Sequence, residues 1–330
     1  MDRVLVTGST GFIGSHLCKA LHERGYAVRA FHRPASPLTL LEGIDVEHAV
    51  GDITKPESLE KALHGVDLVF HTASQLGRAS LDQMKAVTVT GTRNVLLASI
   101  RAGVRKVIYT SSVAALGMPV KAAYDHNSLL IDENHTWNYR PAWWPYGYTK
   151  YLAELEVQQA VSQNLDTVIL NPTVVIGAGD LNRVSGYVII RTARSFKLIA
   201  PAGGLNVIHI DDVVRGHLLA LENGRTGERY ILGNQNLTHL QFRQAVADVA
   251  GVSPPRWVEP ARLMHGLAWP VSYLEKWLTL PVNSNSLRQS GYFFYYDNRK
   301  ATRELGLINL LPAHQAIEEA YEWYRKWRYL

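Results

Sequence analysis

Between an apolar run at residues 4–7 and a helical pattern at residues 12–24, the chain reads Thr7-Gly8-Ser9-Thr10-Gly11-Phe12-Ile13-Gly14. A strand, a glycine turn and a helix in that order leave few folds open. Gly8 permits the tight turn, Gly11 lets a ligand approach the backbone, and Gly14 lets the helix pack closely on the strand. The helix start offers unpaired N–H groups and the positive end of a dipole, which together suit a phosphate. Gly8, Thr10, Gly11, Phe12, Ile13 and Gly14 are therefore read as a phosphate-binding loop.

The following residues repeat the alternation. Strands are expected at 26–32, 46–50, 67–72, 106–110 and 166–171, with helices at 81–102 and 145–161. Thr54-Lys55-Pro56-Glu57 reads as a capping box opening a helix to about residue 63, and Thr238 to Gln241 as a second one, opening a helix to residue 250. This pace predicts an α/β fold, a Rossmann-type doubly wound parallel sheet whose ligands bind outside the carboxyl ends of the strands. After Thr173 the alternation breaks. Residues 1–174, with 205–233 returning to the main sheet, form the expected dinucleotide domain. Residues 175–204 and 234–330 form a smaller, partly helical substrate lobe.

Bulk properties exclude other classes. The formal charge is +5, from 34 basic and 29 acidic residues, but there is no run of five or more like charges, so no nucleic-acid partner is expected. Cys18 is the only cysteine, which rules out an intramolecular disulfide. No uncharged apolar run is long enough to cross a bilayer, and Met1-Asp2-Arg3 leads straight into a strand without a leader pattern. A cytoplasmic location is expected. The 13 histidines show no zinc-ligand spacing, so no metal is expected.

The strand at 26–32 ends without an acid to bond a ribose hydroxyl. Arg33 follows it, and its forked donor suits a 2′-phosphate, which favours NADP while leaving NAD possible. Tyr146 and Lys150 stand four apart on the helix at 145–161 and so share a face. A nearby ammonium would draw the phenol down from its ordinary pKa of about 10, so Tyr146 could exchange a proton with a carbonyl or alcohol oxygen. Tyr148 and Tyr151 lack a lysine four residues on. Across the cleft, Thr110-Ser111-Ser112 ends a strand, and either serine could orient the same oxygen.

A glycine loop of this spacing, together with Tyr146, Lys150 and a strand-end serine, resembles the extended short-chain dehydrogenase/reductases, the NAD-dependent epimerase/dehydratase family. The resemblance is nearest to the dihydroflavonol-4-reductase-like and hopanoid-associated sugar-epimerase-like branch. It implies an NAD(P)-dependent oxidoreductase moving hydride between nicotinamide and a carbonyl/alcohol group. Within the family pattern, Ser112 rather than Ser111 is the catalytic serine, because Ser112-Val113-Ala114-Ala115-Leu116-Gly117 places it five residues before the glycine. Asp52 would bond the adenine and Ile53 cover its face. Thr72-Ala73-Ser74 would line the ribose and pyrophosphate, and Pro172-Thr173 the nicotinamide. His209 to Val213 matches a segment where relatives re-enter the sheet, with Asp212 as a helix cap or structural partner.

Two departures narrow the chemistry. Dehydratases of the family carry an Asp-Glu pair after the catalytic Ser/Thr, where this chain has Val113 and Ala114. Many nucleotide-sugar epimerases carry an arginine just before the segment matching His209 to Asp212, where this chain has Leu205-Asn206-Val207-Ile208. Reduction of an apolar or aromatic ketone or aldehyde is the leading expectation. A sugar epimerase acting through a transient keto intermediate is the alternative, and an NADP-binding sensor without turnover the third. The second lobe is aromatic, with Trp257, Trp269, Tyr273, Trp277 and Tyr292 to Tyr296, and Trp143 and Trp144 precede the catalytic helix. Such a lobe suits an apolar substrate. Residues 263–282 repeat apolar side chains at helical spacing around Pro270, a candidate kink. Core of the lobe is the first expectation for this stretch, a mobile lid the functional one, and an interfacial membrane helix the third. In relatives the helices matching 81–102 and 145–161 form a dimer interface. Leu96, Ile100, Leu152 and Leu155 are candidates for that face, and a homodimer is expected.

Overall fold

In chain order the strands are β1 (Arg3–Thr7), β2 (Ala27–His32), β3 (Glu47–Val50), β4 (Leu68–His71), β5 (Lys106–Thr110), β6 (Thr167–Pro172), β7 (Val174–Ile176), β8 (Ile199–Ala200), β9 (Gly204–His209), β10 (Arg229–Leu232), β11 (Gln235–Thr238) and β12 (Trp257–Val258). The helices are α1 (Phe12–Glu23), α2 (Pro56–Leu63), α3 (Leu81–Met84), α4 (Gly91–Ala102), α5 (Pro145–Ser162), α6 (Gly186–Arg194), α7 (Ile210–Asn223), α8 (His239–Ala250), α9 (Ala261–Leu274), α10 (Ser284–Gln289) and α11 (Ala313–Lys326). These come from a computed structural model, which describes residues 2–77, 79–119, 130–183, 185–194, 199–275, 277–278, 280 and 283–330.

Seven strands form one parallel sheet in the order β10-β6-β5-β4-β1-β2-β3. The order reverses at β1, the doubly wound arrangement that opens a crevice at the carboxyl ends. Both faces are covered, so side chains alternate between two cores along each strand. Val4 and Val6 pack with Leu17 and Leu21 of α1 and Val213 and Leu218 of α7. Leu5 packs on the other face with Leu59 and Leu63 of α2, Val95 and Leu96 of α4, and Ala153 and Val157 of α5. The register aligns Thr7 with Phe31 and His71, His71 with Tyr109, and Thr110 with Leu170. Residues that follow these strands therefore come out along one edge.

The predicted alternation is present, with two corrections, and of the two readings of Asp212, helix cap or structural partner, the second holds. The stretch from residue 205 does not rejoin the main sheet: β9 lies in a second sheet, parallel to β7 and antiparallel to β11. β10 alone returns, against β6. The reason is adjacency, since β7 leaves β6 after a single residue and draws β9 beside it. The box at Thr54 does not form. Thr54 bonds Asp52 instead, the helix starts at Pro56, and Lys55 is its uncapped N-cap. Asp212 is not the cap of α7. That position belongs to His209, whose Nδ1 accepts from the Asp211 N–H, while Asp212 accepts from Leu311 N and Arg215. The capping box at Thr238 and Gln241 forms as expected.

The smaller lobe has its own core of Ile176, Ile189, Leu205, Val207, Phe242, Ile317 and Tyr324. Tyr324 of α11 is fully buried and reaches Asp180 Oδ2 at 3.2 Å. Gly186 makes this possible, because a Cβ there would overlap the tyrosine hydroxyl. The C-terminal part is not all lobe: Ala301, Leu305 and Leu307 pack into the α1–α7 core of the main sheet.

Residues 263–282 contradict the core expectation. Within the described part, α9 runs through Pro270 and buries Ala261 and Ala268, while Leu263, Leu267, Trp269, Tyr273 and Leu274 are exposed. Lys276 lies outside the described residues. On the expected dimer helices, Leu96 is fully buried and Ile100 packs against the same core, so neither is an outer-face residue. Leu97 and Leu155 are exposed there, and Arg93 clamps Glu156 across α4 and α5 through two bonds of 2.8 and 2.6 Å.

Candidate active site

A cleft of about 780 Å³ runs along the carboxyl edge of the sheet, within the range of small-molecule sites. Every residue singled out as catalytic or cofactor-binding lines it. These are Gly8, Thr10, Gly11, Phe12, Ile13 and Gly14, then Arg33, Asp52, Ile53, Thr72, Ala73 and Ser74, and finally Ser112, Tyr146, Lys150, Pro172 and Thr173.

The glycine loop is shaped by what it excludes. Gly8 has φ +68°, and a Cβ on it would lie 2.8 Å from Ala73 N. A Cβ on Gly14 would lie 2.2 Å from the Gly8 carbonyl oxygen. Gly11 N donates to Gly8 O at 2.9 Å, and Gly11 is the N-cap of α1 with no side chain capping the helix. The first N–H groups of α1 thus border the cleft without a side-chain acceptor. Together with the glycine cradle, they fit a dinucleotide pyrophosphate.

At the far end, Arg33 is exposed on the rim. The next turn adds Ser36, whose N–H bonds Arg33 O at 3.1 Å, and Pro37. Neither Ser36 nor Pro37 is marked by any sequence signal. Arg29, the other arginine of β2, is buried and spent on Ala62 O, His64 O and Glu47. Asp52 has one carboxylate oxygen occupied by Thr54 N and Oγ1, so it serves the turn as well as bordering the cleft. Ile53 lies against Gly91 so closely that a Cβ there would sit 2.6 Å from Ile53 Cδ1.

Near the middle of the sheet, α5 brings Tyr146 and Lys150 to one face beside β5. Ser112 accepts from Ala114 N and lies beside Tyr146, whose phenol it draws down. Ser111 faces elsewhere, donating to buried Glu154. The structure therefore brings Ser112, not Ser111, to Tyr146. Lys150 is buried, donates to Thr110 O at 2.8 Å and sits 5.3 Å from the centre of the Tyr109 ring. Burial holds its amine down at about 8, with the Glu154 charge opposing the shift. Burial likewise raises the Tyr146 phenol, partly offset by Ser112. Without a nicotinamide charge beside it, the phenol is governed by its burial.

Glu154 was not marked in the sequence, though it continues the four-residue step from Tyr146 and Lys150. It is fully buried. Its Oε1 accepts from Ser111 and from Asn171 Nδ2, the latter at 2.7 Å, and Oε2 lies 2.7 Å from Arg229 Nε as a charge contact rather than an aligned hydrogen bond. Asn171 also donates to Ser112 O. The side chain of Asn171 thus supports the serine loop, while Pro172 and Thr173 line the cleft.

Two histidines complete the shell. Thr92 gives its hydroxyl proton to Thr88 O, so His71 Nε2–H donates to Thr92 Oγ1 and His71 Nδ1 accepts from Thr7. Burial drives the His71 imidazole to about 3. His217 is neutral for the same reason, at about 4, bridging Thr110 and Val213 O.

Comparison with known proteins agrees with this geometry. The chain belongs to the NAD dependent epimerase/dehydratase family, whose model matches residues 4–233. It is 33% identical to a putative dihydroflavonol 4-reductase of Synechocystis sp., over all of this chain and 96% of that one. It is 33% identical to sterol demethylase protein B of Methylococcus capsulatus, over 98% of each. The crystal structure of gox2253 superposes with a TM-score of 0.87 at 34% identity, covering 100% of both chains. The protein is an NAD(P)-dependent oxidoreductase of the extended short-chain type.

Lys150 makes stability depend on pH. The unfolded amine stays protonated up to about 10.5, the folded one only to about 8. Across that window the unfolded chain holds the extra proton, so raising the pH favours the folded state. Urea unfolding of wild type should therefore gain on the order of 3 kcal/mol relative to Lys150→Met between neutral pH and pH 10.5. A constant difference between the two proteins would contradict a depressed lysine.

Proposed function

We propose that this protein is an NADPH-dependent reductase of apolar or aromatic ketones or aldehydes. One observation carries the reading: Ser112 and Tyr146 line a cleft beside a cluster of aromatic rings, in which Arg140 and Arg288 are stacked on Trp143. Trp144 at the start of α5 contacts Trp137 and Phe294, with ring centres 6.1 and 5.7 Å apart. At β9, where a sugar-nucleotide diphosphate would need a cation, Leu205, Asn206 and Val207 are buried, and Asn206 is bonded to Asn234 and Asn236. This favours reduction over epimerisation. The relatives are named for a dihydroflavonol, an aromatic ketone, and for a sterol.

The chemistry follows from protonation states. Bound nicotinamide supplies the hydride. Tyr146, its phenol raised by burial, stays protonated at neutral pH and donates to the substrate oxygen. Ser112 bonds the same oxygen and orients it. Lys150 holds the nicotinamide ribose and keeps positive charge behind the phenol as its proton leaves. Asp52 and Ile53 hold the adenine, Thr72 to Ser74 the ribose and pyrophosphate, and Pro172 and Thr173 the nicotinamide. Thr173 Oγ1 is buried without a hydrogen-bond partner among the described residues, a donor left for ligand. Arg33, with Ser36 beside it, receives the 2′-phosphate of NADP. No described helix is long and apolar enough to cross a membrane. We place the enzyme in the cytoplasm, where Cys18 stays a buried thiol.

Tyr146→Phe should reduce turnover at least about a thousandfold while leaving the cofactor dissociation constant nearly unchanged. Ser112→Ala should cost less, and Ser111→Ala less again; wild-type turnover by Tyr146→Phe would refute the donor. Arg33→Ala should weaken NADPH binding by about tenfold or more in a fluorescence titration and leave NADH unaffected. Equal losses for both would remove the 2′-phosphate role. The exposed face of α4 and α5, with Leu97 and Leu155, supports a two-fold dimer, and sedimentation at micromolar concentration should show one. A monomer there would end that assignment.

A further inference from the structure

The described part of 256–278 leaves apolar surface uncovered to a degree no core function explains. At 100° per residue, Ala261, His265 and Ala268 form the inward stripe of α9, with Ala261 and Ala268 buried and His265 Nε2 bonded to Ser290 O. The opposite stripe carries Leu263, Leu267 and Leu274, flanked by Arg262, Trp269 and Tyr273. Trp269 and Trp277 are each 78% exposed, Leu263 and Leu278 each 56%. Just before the helix, Trp257 pairs with Ile199, and they are 67% and 55% exposed. Isolated apolar residues on a surface need no explanation, but this cluster does. No residue of α9 lines the cleft, so the segment is not a lid in this conformation.

The charges indicate what covers the patch. Both acids of the segment are turned inward: Glu259 accepts from Ser290 Oγ at 2.9 Å, and Glu275 accepts from Ser284 N and Oγ at 2.6 and 2.9 Å. The exposed charges among its described residues are Arg256 and Arg262. A leucine stripe flanked by tryptophan, tyrosine and arginine, with its carboxylates withdrawn, is the arrangement of an interfacial helix lying in the headgroup region of an anionic bilayer.

We infer that α9 and its flanking tryptophans dock this enzyme on the surface of a membrane containing anionic phospholipid. The docking face stands on exposure and charge alone. Its purpose rests on the reductase reading and on one further observation. From the inward stripe, ring contacts lead to the site: His265 to Tyr292 at 6.3 Å, Tyr292 to Phe294 at 6.5 Å, and Phe294 to Trp144 at 5.7 Å. Trp144 is two residues before Tyr146, and all four rings are half-buried. This row of packed rings links the inward stripe of the docking helix to the segment that carries Tyr146, so the docked helix and the site of an apolar carbonyl compound share one aromatic cluster.

The test is cosedimentation of the full chain with vesicles of phosphatidylglycerol mixed with phosphatidylcholine, without cofactor or substrate. Wild type should partition onto them, and less onto phosphatidylcholine alone. The double variant Trp269→Ser/Trp277→Ser should bind at least about tenfold more weakly, and Arg256→Glu/Arg262→Glu should lose the preference for the anionic lipid. Both variants should match wild type in circular dichroism and in NADPH turnover of a short, water-soluble ketone. Absence of wild-type partitioning, or equal partitioning by the tryptophan variant, overturns the docking face. So does a wild-type dimer that the tryptophan variant dissociates, which would make a second copy the occupant. Partitioning without turnover of any carbonyl compound would leave the docking face standing and remove the reductase reading; turnover without partitioning would do the reverse.

Discussion

A carboxylate without access to water sits one helical turn beyond Lys150, and the reactive half of the cleft is assembled around it. Burying Glu154 uncompensated would cost several kcal/mol. The cost is offset by Arg229 from β10, Asn171 from β6 and Ser111 from the end of β5. One side chain of α5 is thereby tied to the ends of three strands. The same bonds distinguish the two serines: the Ser111 hydroxyl is held by Glu154, while Ser112 stays beside Tyr146. Asn171 reinforces this by holding the Ser112 carbonyl. The position of Tyr146 is thus braced by a buried charge pair one helical turn beyond Lys150.

The polar interior is tuned toward neutrality elsewhere. His71 and His217 are held in defined tautomers by threonine hydroxyls and a backbone carbonyl, and burial keeps both uncharged. Each links strand ends to a neighbouring helix without adding a charge near the site. Lys150 is then the charged amine in the centre of the constellation. Its electrostatic effect is concentrated because its surroundings exclude water.

Much of this was legible in the chain because local rules and global fold agree in the first half. Glycines at 8, 11 and 14 have one use between a strand and a helix, and the Tyr146–Lys150 step has one geometry on α5. Long-range pairings were less visible. Residues 204–209 carry the same apolar pattern whether they join the main sheet or β7 and β11, and periodicity cannot choose between them. Glu154 carries no signal in the sequence, because a lone glutamate in a helix ordinarily faces water. Its burial depends on Arg229, 75 positions away. At α9 the limit is the opposite one, since apolar spacing marks a face that leaves water without saying whether protein covers it.

The contact between Tyr324 and Asp180 carries a consequence for how the molecule is made. Asp180 borders the cleft and accepts from Ser185 N and Gly186 N, so the bend of this wall is held by a hydroxyl from α11. In chain order α11 follows every other described element. On the ribosome the glycine loop and its neighbouring strands emerge early and can pair, but the sheet lacks its β10 edge until residue 232 and the cleft its wall until α11 arrives. A nascent chain can therefore carry the glycine loop and its paired strands well before the Asp180 wall of the cleft is fixed, and that wall stays unbraced until α11 docks.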